Sequence, residues 1–208
     1  SSDFFDHATM YLISGLLREH DKDKFEVFIF SYGENKKSKL VEETMKHVSL
    51  FKDISKMPDL EVVQLSRKLQ IDIAIDLKGY TFNSRTKLFA YRLAPIQINY
   101  LGYPGTLGAS FIDYMIADKI LIPKEQRSNY SEKIIYLPNS YQPNDNKREI
   151  SKKITTKNDF GLPNDSFVFC CFNTTYKITS EELNIWSSVL KKVQNSILWL
   201  IDTNEIAK

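Results

Sequence analysis

The sequence predicts an α/β protein in which parallel strands alternate with helices. Three observations predict it. Short apolar, β-branched or aromatic runs of strand length recur along the chain. Helix-spaced stretches separate them. One run, residues 71–77, is almost continuously apolar, as a parallel strand buried on both faces should be.

Residues 7–18 read as a first helix, with Asp6 as its N-cap after a loop over residues 1–5. Residues 25–32 are aromatic and β-branched, a strand. A helix over 36–46 and a short strand over 48–54 follow. Pro58 starts a helix over 59–69, in which Leu60, Val63 and Leu69 fall near helical spacing. The short helix 84–91 ends ahead of Pro95, because a residue before proline avoids the helical region. Residues 96–101, 114–117 and 133–137 are further strands. Strands 25–32, 71–77, 96–101 and 114–117 should be neighbours in one largely parallel sheet, with helices on both faces.

Residues 139–158 are rich in Asn, Lys, Pro, Ser and Thr and nearly free of large apolar side chains. That composition marks a linker over 141–157 between a first domain, 1–140, and a second beginning at 158. Strand character returns over 166–172, followed by a polar loop, 173–177. Thr179 and Glu182 have capping-box spacing at a helix start, and 197–201 is another strand. A doubly wound first domain should carry a strand ahead of residue 1. The second strand–helix–strand unit should continue past residue 208.

Charge and composition narrow the function classes. Lys and Arg total 28 against 26 Asp and Glu, a net charge of +2 spread along the chain, so no basic stripe suggests nucleic acid. No apolar run reaches the roughly 18–20 residues that span a bilayer. No basic segment followed by an apolar one reads as a secretion signal. Cys170 and Cys171 are adjacent and are the only cysteines, which suits a reducing cytoplasm. Within an apolar strand they read as packing residues. His7, His20 and His47 are scattered and nothing has zinc-ligand spacing, so no metal is expected. Asp21-Lys22-Asp23 reads as a solvated turn. Neither a Gly-x-Gly-x-x-Gly nor a Walker loop is present.

Several side chains stand where chemistry is possible. His7 opens the first helix, where the positive end of the dipole favours a neutral imidazole able to accept a proton from a hydroxyl. Lys177 lies between a strand and a helix N-terminus, a place that attracts phosphate, and adds a point charge to it. Gly102, Tyr103, Pro104, Gly105 and Thr106 suit a tight turn, with Pro second and Gly third, that brings backbone N–H groups near a ligand. Lys78-Gly79-Tyr80-Thr81 ends the apolar strand 71–77, the edge at which open α/β sheets bind ligands, and places Tyr80 and Thr81 by a cleft. Asp72, in that strand, reads as structural.

Ser1-Ser2-Asp3-Phe4 through His7, Lys78-Gly79-Tyr80-Thr81, Ala94-Pro95-Ile96-Gln97, Leu101-Gly102-Tyr103-Pro104-Gly105-Thr106, Tyr130-Ser131-Glu132-Lys133, Gly161-Leu162-Pro163 and Phe172-Asn173 with Tyr176-Lys177-Ile178 follow one another along nearly the whole chain. In order and spacing this series resembles the catalytic region of protein O-GlcNAc transferases and their bacterial and SPINDLY-like relatives. The resemblance implies a GT-B architecture: a Rossmann-like N-terminal catalytic lobe, here 1–140, and the beginning of a second Rossmann-like lobe, 158–208. It implies inverting, metal-independent transfer of N-acetylglucosamine from UDP-GlcNAc to Ser or Thr hydroxyls of proteins. UDP-GlcNAc would be a substrate and no cofactor would be required. By the same resemblance His7 would be the general base. Tyr80, Thr81 and Gly102 through Thr106 would lie on the substrate side. Lys177 would contact UDP. Thr174 would too, although it stands where animal members carry a glutamine of longer reach. Tetratricopeptide repeats would precede the region in a full-length chain. The 208 residues alone would transfer no sugar. The competing reading is a non-catalytic relative that keeps an acceptor-binding lobe.

Overall fold

The computed structural model describes residues 1–33 and 38–202, in two compact units, Ser1–Glu149 and Ile150–Lys208. The boundary falls inside the expected linker 141–157, and residues 141–149 belong to the first unit. In order, the first unit contains α1 (Ala8–Glu19), β1 (Phe28–Ser31), α2 (Lys39–Met45), β2 (Leu50–Asp53), α3 (Asp59–Lys68), β3 (Ile73–Asp76), α4 (Lys87–Ala90), β4 (Ile96–Asn99), β5 (Tyr114–Ala117) and β6 (Lys133–Tyr136). The second contains β7 (Phe167–Cys171), α5 (Ser180–Lys192) and β8 (Ser196–Leu200). The first two residues of the helix expected over 36–46 lie outside the described residues. Short 3₁₀ turns at Lys124–Asn129, Lys157–Phe160 and Thr175–Lys177 were not expected from the sequence.

Every strand pairing is parallel. The single sheet expected for the first unit is divided, however. β1 pairs with β2, while β3, β4, β5 and β6 form a separate four-stranded sheet in that order. Among the described residues no ladder joins β1 to β3. Ser1 instead lies beside β1: its N–H donates to Phe30 O and its carbonyl accepts from Tyr32 N, both at 3.2 Å, the pattern of a parallel bridge. The chain then crosses to the end of β3, where Asp3 meets Lys78.

Alternation along β1 sorts the helices onto two faces. Ile29 is buried with Met10, Ile13 and Leu17 of α1 and Val41 of α2. Its neighbour Phe30 packs with Val62 and Val63 of α3 and Leu88 and Phe89 of α4. The layers match the expected doubly wound arrangement. Residues 71–77 depart from expectation on one face: Ile73 and Ile75 are 43% and 46% exposed. The register puts Ile73 beside Ile96, which is also exposed, so the N-terminal half of that sheet face is open within this chain. Asp72 precedes β3 rather than lying in it, and is exposed.

Buried polar side chains hold the irregular segments. Gln97 is fully buried in β4, where its amide donates to Phe89 O and Phe111 O and accepts from Leu93 N. Leaving such partners unmet costs about 1–3 kcal/mol each, so a polar residue outcompetes an apolar one there. Residues 141–149 are strapped over α1. Arg18 forms a two-pronged pair with Asp145 at 2.9 and 2.6 Å, and a side chain at Gly15 would press on Asp145. The Arg148 guanidinium stacks 4.5 Å from the centre of the Tyr11 ring.

The second unit is a β7–β8 pair with one helix, and none of α5 is buried. Cys170 is exposed and Cys171 half-buried, against the expectation of a packed strand, because two strands and one helix leave β7 partly uncovered.

The hydrogen bonds from Arg18 hold the Asp145 carboxyl down at about 2, from an ordinary 3.8. A carboxyl depressed on folding contributes stability that is fully present above its unfolded value and lost as pH falls through its folded one. Asp145→Asn should therefore lower the thermal midpoint at neutral pH, and the gap from wild type should close as pH drops from about 4 to about 2. Thermal melts across that range check it. A gap independent of pH would show that the strap does not depend on the charge.

Candidate active site

The loop before α1 is built around Asp3, which is buried. Asp3 Oδ1 accepts from Lys78 Nζ at 2.7 Å and from Ser2 Oγ at 3.1 Å. Its Oδ2 accepts from Thr9 Oγ1 at 3.5 Å and stands 3.8 Å from His7 Nδ1. His7, not Asp6, is the N-cap of α1: its backbone is extended and its Nδ1 accepts the Thr9 N–H at 3.2 Å. An imidazole nitrogen can satisfy a first-turn N–H as a carboxylate would, and here it is the group within reach. The ring leans on Phe5 at a centroid distance of 5.4 Å, and the side chain is 40% exposed.

Lys78 fixes the other wall. Its backbone N–H donates to Asp76 Oδ1 and its carbonyl accepts from Thr81 Oγ1 at 3.0 Å. Gly79 follows at φ +55°, and a Cβ there would come within 2.4 Å of Tyr103 Cβ. Tyr80 stands edge-on to Tyr103 at 5.9 Å and donates its hydroxyl to Leu107 O at 2.7 Å. Gly102 crosses the end of β3 so closely that a Cβ would lie 1.9 Å from Leu77 O. The two glycine-containing motifs thus interlock at the C-terminal ends of β3 and β4, the ligand edge of a parallel sheet.

The sequence predicts a tight turn over residues 102–106, and the chain bends at Gly105. Among the described residues no backbone bond closes a turn there. The carbonyls of Tyr103 and Gly105 are instead drawn inward by Asn99 Nδ2, each at 3.1 Å. Buried Glu132 holds the far end, accepting from Thr106 Oγ1 at 2.6 Å and from Leu107 N at 2.7 Å. Thr106 Oγ1 also accepts from Ser131 N and Gly108 N, so its hydroxyl is fully committed inside the loop. Pro104 is exposed at the tip.

The first unit therefore gathers His7, Tyr80, Thr81, Gly102, Tyr103, Pro104, Gly105 and Thr106 along one edge, with Asp3 and Lys78 linking the His7 loop to β3. In the second unit Thr174 caps and Lys177 ends the 3₁₀ turn between β7 and α5, and both are exposed. Lys177 N donates to Thr174 O at 3.0 Å. Thr179 and Glu182 form the expected capping box on α5. That box occupies N–H groups which would otherwise be free for a phosphate, and the first turn carries Glu181 and Glu182. Lys177 is an exposed cation beside this helix start.

Sequence reasoning missed Asp3, Lys78, Asn99 and Glu132 as working parts. The only available signal was opposite charge in two motifs lying 75 residues apart. Among the described residues no cluster of His, Cys, Asp or Glu could hold a metal ion, and no helix is long and apolar enough to cross a membrane.

The model of glycosyl transferase family 41 matches residues 1–154 and 143–206. The chain is 36% identical over 206 residues to a probable UDP-N-acetylglucosamine–peptide N-acetylglucosaminyltransferase SEC of Arabidopsis thaliana, covering 97% of this chain and 21% of that protein. It is 30% identical over 204 residues to the SPINDLY protein of the same description from Solanum lycopersicum, covering 95% and 21%. It also superposes on a solved lysine-to-methionine mutant of the Thermobaculum terrenum O-GlcNAc transferase, with a TM-score of 0.82 at 25% identity over all of this chain and 39% of that one. The chain thus spans about a fifth of the length of the curated relatives it matches.

The crossing at Gly102 gives a direct test. A methyl group there meets backbone rather than a movable side chain. Gly102→Ala should destabilise the chain by at least about 2 kcal/mol, or several degrees in thermal midpoint. A melt unchanged from wild type would mean that the two loops do not cross this closely in solution.

Proposed function

This chain belongs to glycosyl transferase family 41, and we propose on that premise that it is part of an enzyme transferring N-acetylglucosamine from UDP-GlcNAc to serine and threonine hydroxyls of proteins. The observation that carries the reading is the family match along the whole chain. It is supported by the clustering of the motif residues at the C-terminal ends of β3 and β4.

In this reading the acceptor hydroxyl attacks the anomeric carbon from the face opposite the diphosphate, and configuration inverts. As the carbon–oxygen bond breaks, negative charge gathers on the departing diphosphate. Lys177 supplies the countercharge, the role a metal ion fills elsewhere, so the reaction is metal-independent. Thr174, three residues earlier on the same turn, lies on the nucleotide side. Tyr80, Thr81 and the loop Gly102–Tyr103–Pro104–Gly105–Thr106 line the substrate side, with His7 as the group nearest the chemistry. Since the matched relatives are about five times as long as this chain, the rest of the nucleotide site would come from further parts of such a protein, and tetratricopeptide repeats would precede these residues. The cysteine usage given above supports a cytoplasmic setting.

The test uses the full-length enzyme. Lys177→Ala should lower turnover by about 10²–10³-fold, the scale of removing one transition-state charge partner, with a smaller change in donor affinity. Equal losses in turnover and donor binding would make Lys177 an ordinary binding residue. Alongside it, the 208-residue chain should give only background transfer from radiolabelled UDP-GlcNAc. Turnover by that chain above a Lys177→Ala control would overturn the placement of the missing contacts.

A further inference from the structure

His7 faces two possible partners through a single nitrogen. Nδ1 accepts the Thr9 N–H at 3.2 Å, while Asp3 Oδ2 stands 3.8 Å away, beyond hydrogen-bond reach. The Asp3 carboxylate is also engaged already, by Lys78 at 2.7 Å on its other oxygen. A ring nitrogen that accepts a hydrogen bond carries no proton. In a neutral imidazole the proton then sits on the other nitrogen, Nε2. Among the described residues Nε2 meets no partner, and the side chain is 40% exposed.

A general base working through Nε2 needs the opposite tautomer. Its Nδ1 must carry the proton and give it to a carboxylate, as in a histidine–aspartate pair. At His7 that tautomer would set N–H against the Thr9 N–H and would lose the helix cap. Asp3 is too far away to compensate and has its charge met by Lys78. The cap of α1 and the Asp3–Lys78 pair therefore act together on the ring. One occupies Nδ1 and the other withdraws the carboxylate that would have reversed the tautomer.

We propose that His7 is a hydrogen-bond donor rather than a base: the α1 cap fixes its neutral ring with the proton on Nε2, and that N–H is presented to a lone-pair oxygen of the bound substrate. This deepens the glycosyltransferase reading and rests on it for the identity of the substrate. In the transfer step the hydroxyl oxygen bonds to the anomeric carbon and the bond to the diphosphate oxygen breaks. The diphosphate leaves with the electron pair, and the hydroxyl proton departs through water, not through His7.

Two measurements test the proposal. The first needs no activity. Long-range proton–nitrogen correlation spectra of the ¹⁵N-histidine-labelled chain, at pH about 8.5 where an ordinary imidazole is neutral, should show His7 with a bare Nδ1 and a protonated Nε2. The signal is assigned by its loss in His7→Asn. A protonated Nδ1 would overturn the proposal whatever the enzyme does. The second uses the full-length enzyme with UDP-GlcNAc and a peptide acceptor. His7→Gln keeps a donor at the reach of Nε2 and cannot act as a base. His7→Asn keeps a capping oxygen but loses the reach. The Gln variant should stay within about tenfold of wild type while the Asn variant falls about 10²-fold, the scale of one lost positioned donor. Equal loss in both variants would restore the base. A rise in KM confined to donor or to acceptor in the Asn variant identifies which of them supplies the oxygen.

Discussion

Asp3 and Lys78 are both buried and lie 2.7 Å apart, and the geometry of the first unit's site depends on that pair. Two charges removed from water attract strongly, but stripping their hydration consumes most of the gain. Such a pair adds little net stability, while losing one member leaves a stranded charge at a cost of about 3–5 kcal/mol. Its value here is positional. Lys78 cannot leave the end of β3, so Asp3 cannot leave it either, and the loop between Ser1 and α1 is pinned to the edge of the sheet. Gly33 serves the same crossing, because a Cβ there would collide with Ser2 O. The start of α1, and with it the ring of His7, inherits its place from these contacts.

A second set of buried polar groups shapes the opposite wall. Asn99 spends both amide hydrogens on Tyr103 O and Gly105 O, which fixes its orientation and leaves Oδ1 buried without a partner. An unmet acceptor costs about 1–3 kcal/mol. Holding two carbonyls of an irregular loop offsets that cost. Glu132 does the same from β6's approach by gripping Thr106 and Leu107. The loop is thus held by side chains from outside it rather than by backbone bonds of its own. Tyr103, held between Gly79 and Gly105, fills the space that their missing side chains leave.

Much of this fold was legible because strands buried in parallel sheets announce themselves as apolar runs. Residues 114–117 and the start of β4 at Ile96 were read to the residue, and the Thr179–Glu182 capping box was read from its spacing alone. What escaped depends on partners distant in sequence. Nothing near residue 3 or residue 78 signals that they pair. Among the described residues no ladder joins β1 to β3, where Ser1 lies beside β1, and no periodicity encodes that separation. The inner face of residues 71–77 was overestimated because an apolar run shows only that a face can be buried, whereas Ile73 and Ile75 are half-exposed here. At Pro104–Gly105 local turn statistics carry no sign of the buried Asn99 amide that holds the carbonyls of Tyr103 and Gly105. The candidate residues themselves were found through motif resemblance, and their hydrogen-bond states came only from the structure.

Those states decide what the edge can recognise. Tyr80 donates its hydroxyl to Leu107 O and Thr81 donates to Lys78 O. A hydroxyl that donates inward has only lone pairs left to offer outward. Thr106 has neither left, since its oxygen also accepts from two backbone N–H groups. Tyr80 and Thr81 therefore face a ligand as acceptors, and His7, with Nδ1 spent on the α1 cap, faces it as a donor. A sugar hydroxyl can meet either kind of group, because it both donates and accepts. A phosphate oxygen can meet only the donor and would face bare lone pairs at Tyr80 and Thr81. The polarity of this edge consequently suits sugar or acceptor hydroxyls, and these side chains bring no charge of their own to a diphosphate.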